Sequence, residues 1–211
     1  ATSVDFSEKT KKVCCGSECF EGKTVIIATG AFAKWLQVPD EKEFQGKGIS
    51  ACATCDGVFF KGKKIMVVGG GDTAMEEALF LSKFVDSITV VHRRDSLRAS
   101  KIMQERALKH PKISFLWNST IEAYHGNPEK SLLTSVTVKH LKTGTTEVMP
   151  IEGVFIAIGH DPATKVFQGH IELDHKGYAV RSEHSMSSVP GVFVCGDVYD
   201  HRYKQAITAA G

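Results

Sequence analysis

The sequence has no long apolar run, little net charge and no internal repeat, and each absence excludes a class of protein. No stretch approaches the roughly 20 apolar residues that cross a bilayer, and the first residues lack the apolar core of a secretory signal. The formal net charge is only +2, whereas nucleic-acid-binding domains normally carry a basic stripe or a much higher pI. We therefore expect neither a membrane nor a nucleic acid as partner.

The composition is that of an ordinary folded protein. Apolar residues make up 42% of the 211 residues and charged residues 24%, as in typical globular domains. Six cysteines are present, but a chain of this length does not need disulfides to complete its core. The spacing of the cysteines is therefore more informative than their number.

Short β-branched runs alternate with amphipathic segments through the middle of the chain. Strands are predicted at residues 23–28, 65–68, 87–91, 113–117 and 154–158, helices at residues 72–84 and 98–109, and an antiparallel hairpin at residues 132–140 and 145–151. Residues 31–48 are predicted to be a connection. Strand, glycine turn, helix and strand in this order form a βαβ unit, which places the chain in the α/β class.

A glycine turn between the strand at residues 65–68 and the next helix indicates a dinucleotide site. It matches G-x-G-x-x-A with Gly69, Gly70, Gly71, Asp72, Thr73 and Ala74. In such a turn Gly69 allows the bend, Gly71 lets a pyrophosphate approach the backbone, and Ala74 lets helix and strand pack closely. The N–H groups at the helix start then face the anion. The alternative, a glycine cluster that only turns the chain, does not explain the residues that end the following strand.

Those residues favour NADPH over NADH. An NAD-selective site places Asp or Glu at the end of the second strand, against the ribose 2′-hydroxyl, but this sequence has His92, Arg93 and Arg94, with Arg98 further on. Guanidinium groups suit a 2′-phosphate, which they bind through charge-assisted, bidentate hydrogen bonds. The alternative for the arginines is a solvated strand end. His92 is predicted to be a structural or ribose-edge residue and not a catalytic base.

A C-x-x-C pair, Cys52 and Cys55, is followed at once by Asp56. This spacing closes a small redox disulfide, and such pairs can lower one thiol pKa from about 8.5 toward about 7. Asp56 is predicted to exchange the proton of the leaving sulfur. Half of a zinc site is the main alternative, but no second C-x-x-C or H-x-x-x-H occurs; a plain pair of buried cysteines also remains open. We predict no metal.

The other cysteines are predicted to be structural. Cys14, Cys15 and Cys19 have irregular spacing in what is predicted to be a surface segment. Cys195 lies in an apolar run and is predicted to be a small core residue inside a strand.

Together these motifs resemble the low-molecular-weight, flavin-dependent thioredoxin reductases over essentially the whole chain. The matching segments are ATGA (28–31), CATCDG (52–57), GGGDTAMEEA (69–78), HRRDSLRASK (92–101), AIGHDP (157–162) and CGDVYDHRYKQAITAAG (195–211). The resemblance implies two nested Rossmann-like, three-layer ββα dinucleotide-binding domains. Residues 34–160 would form the NADPH domain with the C-x-x-C pair, inserted between two parts of an incomplete FAD domain, residues 1–33 and 161–211.

The resemblance also implies an electron path. Hydride passes from NADPH to FAD, the reduced flavin opens the Cys52–Cys55 disulfide, and the dithiol reduces thioredoxin. Cys55 takes the flavin-facing position and Cys52 the outer one. Residues 34–37 and 160–163 are candidate hinges for a swivelling NADPH domain. A cytoplasmic homodimer is expected by the same resemblance.

Cofactor contacts follow from the matched positions. Ile158 and Gly159 are expected on the NADPH side, and the expected FAD contacts are Thr29, Gly30, Asp197, Lys204, Gln205 and Ala206. The family's first G-x-G-x-x-G/A unit is missing and the chain stops at Gly211, before the closing helix. We therefore expect a fragment that does not hold FAD tightly and is inactive by itself.

Two alternative functions remain open from the residues alone. One is a flavoprotein that serves a peroxidase or accepts electrons from ferredoxin, which the HRR triplet disfavours. The other is a non-catalytic NADPH-binding or interaction module.

Overall fold

The computed structural model describes residues 1–130 and 132–211, which divide into two compact units. The larger unit is Lys34–Gly159, and the smaller unit combines Ala1–Ala33 with His160–Gly211. One continuous unit is therefore inserted between two segments of the other.

The described elements are mostly short. The strands are β1 (Ser3–Asp5), β2 (Lys11–Cys15), β3 (Glu18–Gly22), β4 (Val25–Ile27), β5 (Ala31–Ala33), β6 (Ile49–Ser50), β7 (Lys64–Val68), β8 (Ser87–His92), β9 (Ile113–Trp117), β10 (Ser119–Asn127), β11 (Leu132–His140), β12 (Thr146–Pro150), β13 (Gly153–Ile156), β14 (His160–Pro162) and β15 (Val192–Val194). The helices are α1 (Glu41–Phe44), α2 (Ala53–Asp56), α3 (Asp72–Leu81), α4 (Lys101–Leu108) and α5 (Ala206–Ala210). Single 3₁₀ turns lie at Gly57–Phe60, Pro128–Lys130, Lys165–Phe167, Glu183–Ser185 and Gly196–Val198.

A five-stranded parallel sheet, in the order β6–β13–β7–β8–β9, forms the centre of the larger unit. Successive side chains of a strand point to opposite faces. In β7, Ile65 and Val67 pack with α3 and α4 on one face, whereas Met66 and Val68 pack on the other. Burial on both faces explains why this strand is an unbroken apolar run.

The second face of that sheet is covered by an antiparallel sheet, β10–β11–β12. Ile121, Tyr124, Leu133 and Val136 from this sheet belong to the same buried cluster as Met66. Helices, parallel sheet and antiparallel sheet thus form the three-layer ββα arrangement. The α/β, Rossmann-like fold class predicted from the sequence is confirmed.

The smaller unit contains one antiparallel sheet and two strand pairs. The sheet is β1–β2–β3, and the pairs are β4 with β15, parallel, and β5 with β14, antiparallel. Val4, Phe6, Ile27, Val192 and Val194 lie in its buried core. Residues from both segments of the chain contribute to this core, so neither segment completes it alone.

Several element predictions are confirmed. The strand at residues 113–117 matches β9, the strand at residues 87–91 falls within β8, and the hairpin at residues 132–151 corresponds to β11 and β12.

Other element predictions are wrong. The second helix begins at Lys101 and not at Arg98, because residues 98–100 bind the glycine turn. Residues 31–48 hold β5 and α1 and are more than a connection. The strand predicted at residues 23–28 is shorter in the structure, where β4 spans Val25–Ile27. The segment around Cys14 lies at the surface as predicted, since Cys15 and Cys19 are exposed, but the sequence did not predict that it forms the sheet β1–β2–β3.

No helix in the described residues is both long enough and apolar enough to cross a membrane.

Candidate active site

The glycine turn lies at the carboxyl end of β7 and is shaped by its neighbours. A Cβ atom on Gly69 would collide with the carbonyl oxygen of Ala157, and one on Gly70 would collide with the ring of His92. A Cβ atom on Gly71, by contrast, would meet no atom within 4 Å. The turn is therefore closed on the protein side and open at Gly71, where the backbone is accessible to a ligand.

Helix α3 begins directly after this opening. Gly71 is its N-cap residue, with φ −97° and ψ −177°, and Asp72 is its first residue. The helix has ten residues, so its first turn presents N–H groups without intrahelical partners. Ala74 is fully buried in the core beneath it, as the motif requires for close packing of helix on strand.

Asp72 makes its hydrogen bonds within the protein. Its Oδ1 accepts from the backbone N of Ser100 at 2.8 Å and from the Ser100 hydroxyl at 2.8 Å. Asp72, which the sequence motif predicts as a cofactor contact, thus binds the segment that precedes α4. Thr73 beside it is exposed.

The arginines follow β8, next to the glycine turn. His92, the last residue of β8, is 5% exposed, and its Nε2 lies 3.0 Å from the carbonyl oxygen of Ser96. Burial, together with the charges of Arg98, Arg94 and Arg93, lowers the pKa of His92 below its ordinary value. A ring that is almost fully buried and bonded to a backbone carbonyl fits the predicted structural role. Arg93, Arg94 and Arg98 are exposed.

Ile158 and Gly159 lie just beyond β13, the strand that pairs with β7. Ala157 N donates to the carbonyl oxygen of Val68 at 2.8 Å, which brings this segment beside the glycine turn. Gly159 has φ +110°, and its carbonyl oxygen accepts from Lys34 N at 3.0 Å. The carboxyl ends of β7, β8 and β13 thus bring all the predicted NADPH residues to one edge of the parallel sheet. Ligands of open α/β sheets bind at this kind of edge.

The C-x-x-C pair forms a disulfide in the same unit. Cys52 and Cys55 are joined with a Cα–Cα distance of 5.3 Å. Cys52 caps α2, and its Sγ accepts from Cys55 N at 3.3 Å. Cys55 is exposed and Cys52 is half-buried. Which sulfur faces the flavin stays a prediction, because it depends on groups outside this unit.

Asp56 is held beside the disulfide by Ser50, at the end of β6. The Ser50 hydroxyl donates to Asp56 Oδ2 at 2.6 Å, and its oxygen accepts from Cys52 N at 3.0 Å. Ser50 is 5% exposed. It therefore links the predicted acid to the backbone of the first cysteine. Ser50 was missed from the sequence, where its only signal was its position two residues before Cys52.

The predicted FAD residues lie in the smaller unit. Thr29 and Gly30 follow β4, and Asp197 follows β15, so the parallel pairing of these strands places all three at one carboxyl edge. Helix α5 begins at Ala206 and packs there, since a Cβ atom on Gly196 would lie 3.3 Å from Ala209. Lys204 and Gln205 lead into that helix. The edge thus gathers backbone groups, a hydroxyl and a carboxylate, a set that fits the hydroxyl groups of a ribityl chain.

One hydrogen bond and one perturbed carboxyl group characterise this second edge. The Thr29 hydroxyl donates to the carbonyl oxygen of Ala163 at 2.8 Å. Burial, and next the charge of Asp200, raise the pKa of Asp197 above its ordinary value, although Lys204 opposes them. A carboxyl group with a raised pKa suits hydrogen bonding to hydroxyl groups better than pairing with a cation.

A second disulfide, which the sequence did not predict, lies in the smaller unit. Cys14 and Cys19 are directly opposite each other on β2 and β3, with a Cα–Cα distance of 4.1 Å. Cys15 is free and exposed. Cys195 follows β15 and is partly exposed, so the prediction of a core residue inside a strand is wrong.

Comparisons with known proteins agree with this geometry. The family model for pyridine nucleotide-disulphide oxidoreductases matches residues 1–211. The chain belongs to the pyridine nucleotide-disulphide oxidoreductase family. It is 52% identical over 211 residues to a thioredoxin reductase of Streptomyces clavuligerus, covering 99% of this chain and 65% of that protein. A thioredoxin reductase of Rickettsia felis is 47% identical over 210 residues, covering 99% of this chain and 68% of the relative.

Solved structures give the same result. The thioredoxin reductase of Streptococcus pyogenes matches with a TM-score of 0.91 at 40% identity, covering 100% of this chain and 68% of that one. The thioredoxin reductase of Giardia duodenalis matches with a TM-score of 0.90 at 40% identity, covering 100% of this chain and 69% of that one. The predicted resemblance to low-molecular-weight thioredoxin reductases is therefore confirmed. The chain spans about two thirds of the length of these relatives.

Proposed function

We propose that the protein of which this chain is part is an NADPH-dependent thioredoxin-disulfide reductase, with Cys52–Cys55 as its redox disulfide. The observation that carries the proposal is the content of the larger unit. It combines a disulfide, a hydrogen-bonded carboxylate beside it, and a glycine turn flanked by exposed arginines. Its relatives in sequence and structure are named thioredoxin reductases.

The nucleotide would bind at the glycine turn. Its pyrophosphate would approach Gly71 and the first turn of α3, where the backbone is open. Arg93, Arg94 and Arg98 would bind the 2′-phosphate through charge-assisted hydrogen bonds. His92 would support the turn from beneath.

The smaller unit would contribute to flavin binding through Thr29, Gly30, Asp197, Lys204, Gln205 and Ala206. FAD, when bound, supplies the two-electron chemistry that connects NADPH to a disulfide. This assignment is supported by the meeting of these residues at the carboxyl edge of β4 and β15.

Reduction of the Cys52–Cys55 disulfide consumes two electrons and two protons and yields two thiols. The outer thiolate, Cys52, then attacks the disulfide of the protein substrate, which forms a mixed disulfide and releases one substrate thiolate. Cys55 attacks Cys52 next, which restores the Cys52–Cys55 bond and releases the second substrate thiolate. Asp56, oriented by Ser50, would exchange a proton with the cysteine sulfurs during these steps.

A protein substrate is favoured by the surface next to the disulfide. Val58 and Phe59, which follow α2, are 57% and 72% exposed. Exposed apolar side chains beside a reactive group are typical of protein-binding surfaces. Thioredoxin is therefore the proposed substrate. A homodimer in the cytoplasm is proposed from the family resemblance.

The Cys14–Cys19 disulfide is the competing candidate. It joins facing residues of a two-stranded hairpin and does not share a unit with the glycine turn. Cys52–Cys55 has Asp56 and Ser50 beside it, and these are groups that thiol chemistry can use.

NADPH-dependent reduction of thioredoxin by the flavin-loaded protein tests the proposal. We expect Cys52→Ser and Cys55→Ser each to abolish turnover, because no dithiol can form. The matched control, Cys14→Ser with Cys19→Ser, should retain turnover within about twofold. Thioredoxin reduction that persists in Cys52→Ser would refute the cysteine assignment, and a full-length protein without flavin absorbance would refute the reductase function.

A further inference from the structure

We propose that Asp72 is a positioning residue that fixes the arginine loop, residues 93–100, against the glycine turn and so sets the preference for a 2′-phosphate. The sequence motif places Asp72 among the nucleotide contacts. The structure instead turns its carboxylate toward the arginine loop. This inference rests on the proposed NADPH function and identifies what makes that site selective.

The carboxylate of Asp72 is engaged by one residue of the loop. Its Oδ1 accepts from both Ser100 N and Ser100 Oγ, each at 2.8 Å. Ser100 is the N-cap residue of α4. The start of α3 and the start of α4 are thereby joined through a single oxygen atom.

Two further contacts fix the loop to the same turn. Arg98 N and Ala99 N donate to the carbonyl oxygen of Gly70 at 2.7 Å and 3.1 Å. In the middle of the loop, the carbonyl oxygen of Ser96 lies 3.0 Å from His92 Nε2, and the His92 ring fills the space that a side chain on Gly70 would need. The C-terminal end of the loop is therefore bonded directly to the glycine turn, and its middle is held by the histidine that packs on that turn.

The positions of the arginines explain why these ties matter. Arg93 and Arg94 directly follow His92, and Arg98 lies two residues before Ser100. Their side chains are exposed. Because the loop backbone is already fixed, less conformational entropy is lost when these side chains bind a phosphate. If the loop moved freely, binding of the 2′-phosphate would cost more conformational entropy. Binding of the pyrophosphate at Gly71 would not be affected.

The charge of Asp72 supports this positioning role. A carboxylate at the first residue of α3 lies near the place where the pyrophosphate would bind, and like charges repel. A nucleotide contact is thus an unfavourable role for an ionised aspartate. The other role of an acid at this place is to stabilise the helix through its dipole, and that role would not depend on Ser100.

Calorimetric titration of this chain with 2′,5′-ADP and with 5′-AMP separates these roles, because the two probes differ by the 2′-phosphate. Neither titration requires flavin. We expect Asp72→Ala to reduce the preference for 2′,5′-ADP about tenfold, since it removes two hydrogen bonds to a charged acceptor. Ser100→Ala, which removes one of them, should reduce it about threefold. Asp72→Asn keeps an accepting oxygen and should retain most of the preference.

The outcomes distinguish the inference from the function on which it rests. If the wild-type chain does not prefer 2′,5′-ADP over 5′-AMP, the NADPH assignment fails and the inference fails with it. If the wild type prefers 2′,5′-ADP but Asp72→Ala and Asp72→Asn change the affinity for both probes equally, Asp72 acts through charge alone and only the inference is overturned. Should Asp72→Ala not fold, an unchanged preference in Ser100→Ala overturns the inference.

Discussion

The two compact units contain similar parts with different surroundings. Each has a disulfide and an edge where parallel strands end in glycine-containing turns. In the larger unit the disulfide is next to a carboxylate whose Oδ2 accepts from a buried serine hydroxyl at 2.6 Å. In the smaller unit the disulfide joins two facing residues of adjacent strands, Cys14 and Cys19. The comparison teaches that neighbours, and not the cysteines or glycines themselves, decide what chemistry such a feature supports.

The largest expected effect is a loss of turnover when the residues beside the Cys52–Cys55 disulfide are replaced. Asp56→Asn should lower thioredoxin turnover about 100-fold, because general acid–base catalysis contributes at least that much in typical sites. Ser50→Ala should lower turnover about tenfold, because Asp56 loses the donor that orients it. Steady-state assays of the flavin-loaded protein measure both. Asp5→Asn, in the sheet that contains Cys14, is the matched control. A similar loss in that control would contradict the proposed difference between the units.

The next effect concerns the edge of the larger unit. Replacing Arg93 and Arg94 by alanine should raise KM for NADPH about 50-fold, because two charge-assisted hydrogen bonds to the 2′-phosphate are lost. KM for NADH should change less than about threefold, since NADH has no such phosphate. Arg106→Ala, an exposed arginine on α4, controls for net charge. Equal changes for the two nucleotides would mean that these arginines do not read the 2′-phosphate.

Alanine substitutions of two neighbouring glycines at that edge should separate an effect on stability from an effect on nucleotide binding. Gly70→Ala should destabilise the chain by about 2 kcal/mol, because the new methyl group collides with the buried His92 ring. Gly71→Ala should change stability by less than about 1 kcal/mol, since nothing lies within 4 Å of its new Cβ atom, yet it should weaken nucleotide binding about tenfold. Denaturant unfolding and nucleotide titration check the pair. Equal losses of stability would show that the turn is not closed on one side and open on the other.

The smallest effect is a pH dependence of opposite sign in the two units. The pKa of His92 is lowered by burial, so the unfolded chain takes up a proton below about pH 6.5 that the folded chain does not. Its contribution to stability therefore falls as the pH is lowered through that window. The pKa of Asp197 is raised by burial, so its contribution falls as the pH rises above about 3.8.

Single substitutions isolate the two contributions. His92→Asn should remove the loss of stability below about pH 6.5, and Asp197→Asn should remove the loss of stability above about pH 3.8. Unfolding free energies measured across the pH range check both. Slopes of the same sign for the two wild-type groups would contradict the account.

Much of the larger unit could be predicted from the sequence because its signals are local. The apolar runs of β7, β8 and β9 can be recognised from their local residue patterns. The glycine turn and the arginines after β8 are short motifs, each within a single segment. The same holds for the C-x-x-C pair. These features depend on residues a few positions apart.

What the sequence did not show depends on contacts between distant segments. The side chains of β10 alternate irregularly between the two faces because its pairing with β11 contains register shifts. The sheet β1–β2–β3 includes a strand whose own residues give only a weak strand pattern. The late start of α4 follows from the bonds of residues 98–100 to Gly70 and Asp72. Ser100 gains its role only when the fold brings it to Asp72. Ser50 is an exception, because it lies close to Asp56 in the sequence and was missed for want of a recognisable motif.

The most direct test of the central claim asks which disulfide receives the electrons. The flavin-loaded protein is treated with NADPH without thioredoxin, alkylated, and analysed by mass spectrometry of its cysteine peptides. We expect Cys52 and Cys55 to become alkylated while Cys14 and Cys19 stay joined. Alkylation of Cys14 and Cys19 with an intact Cys52–Cys55 disulfide would contradict it.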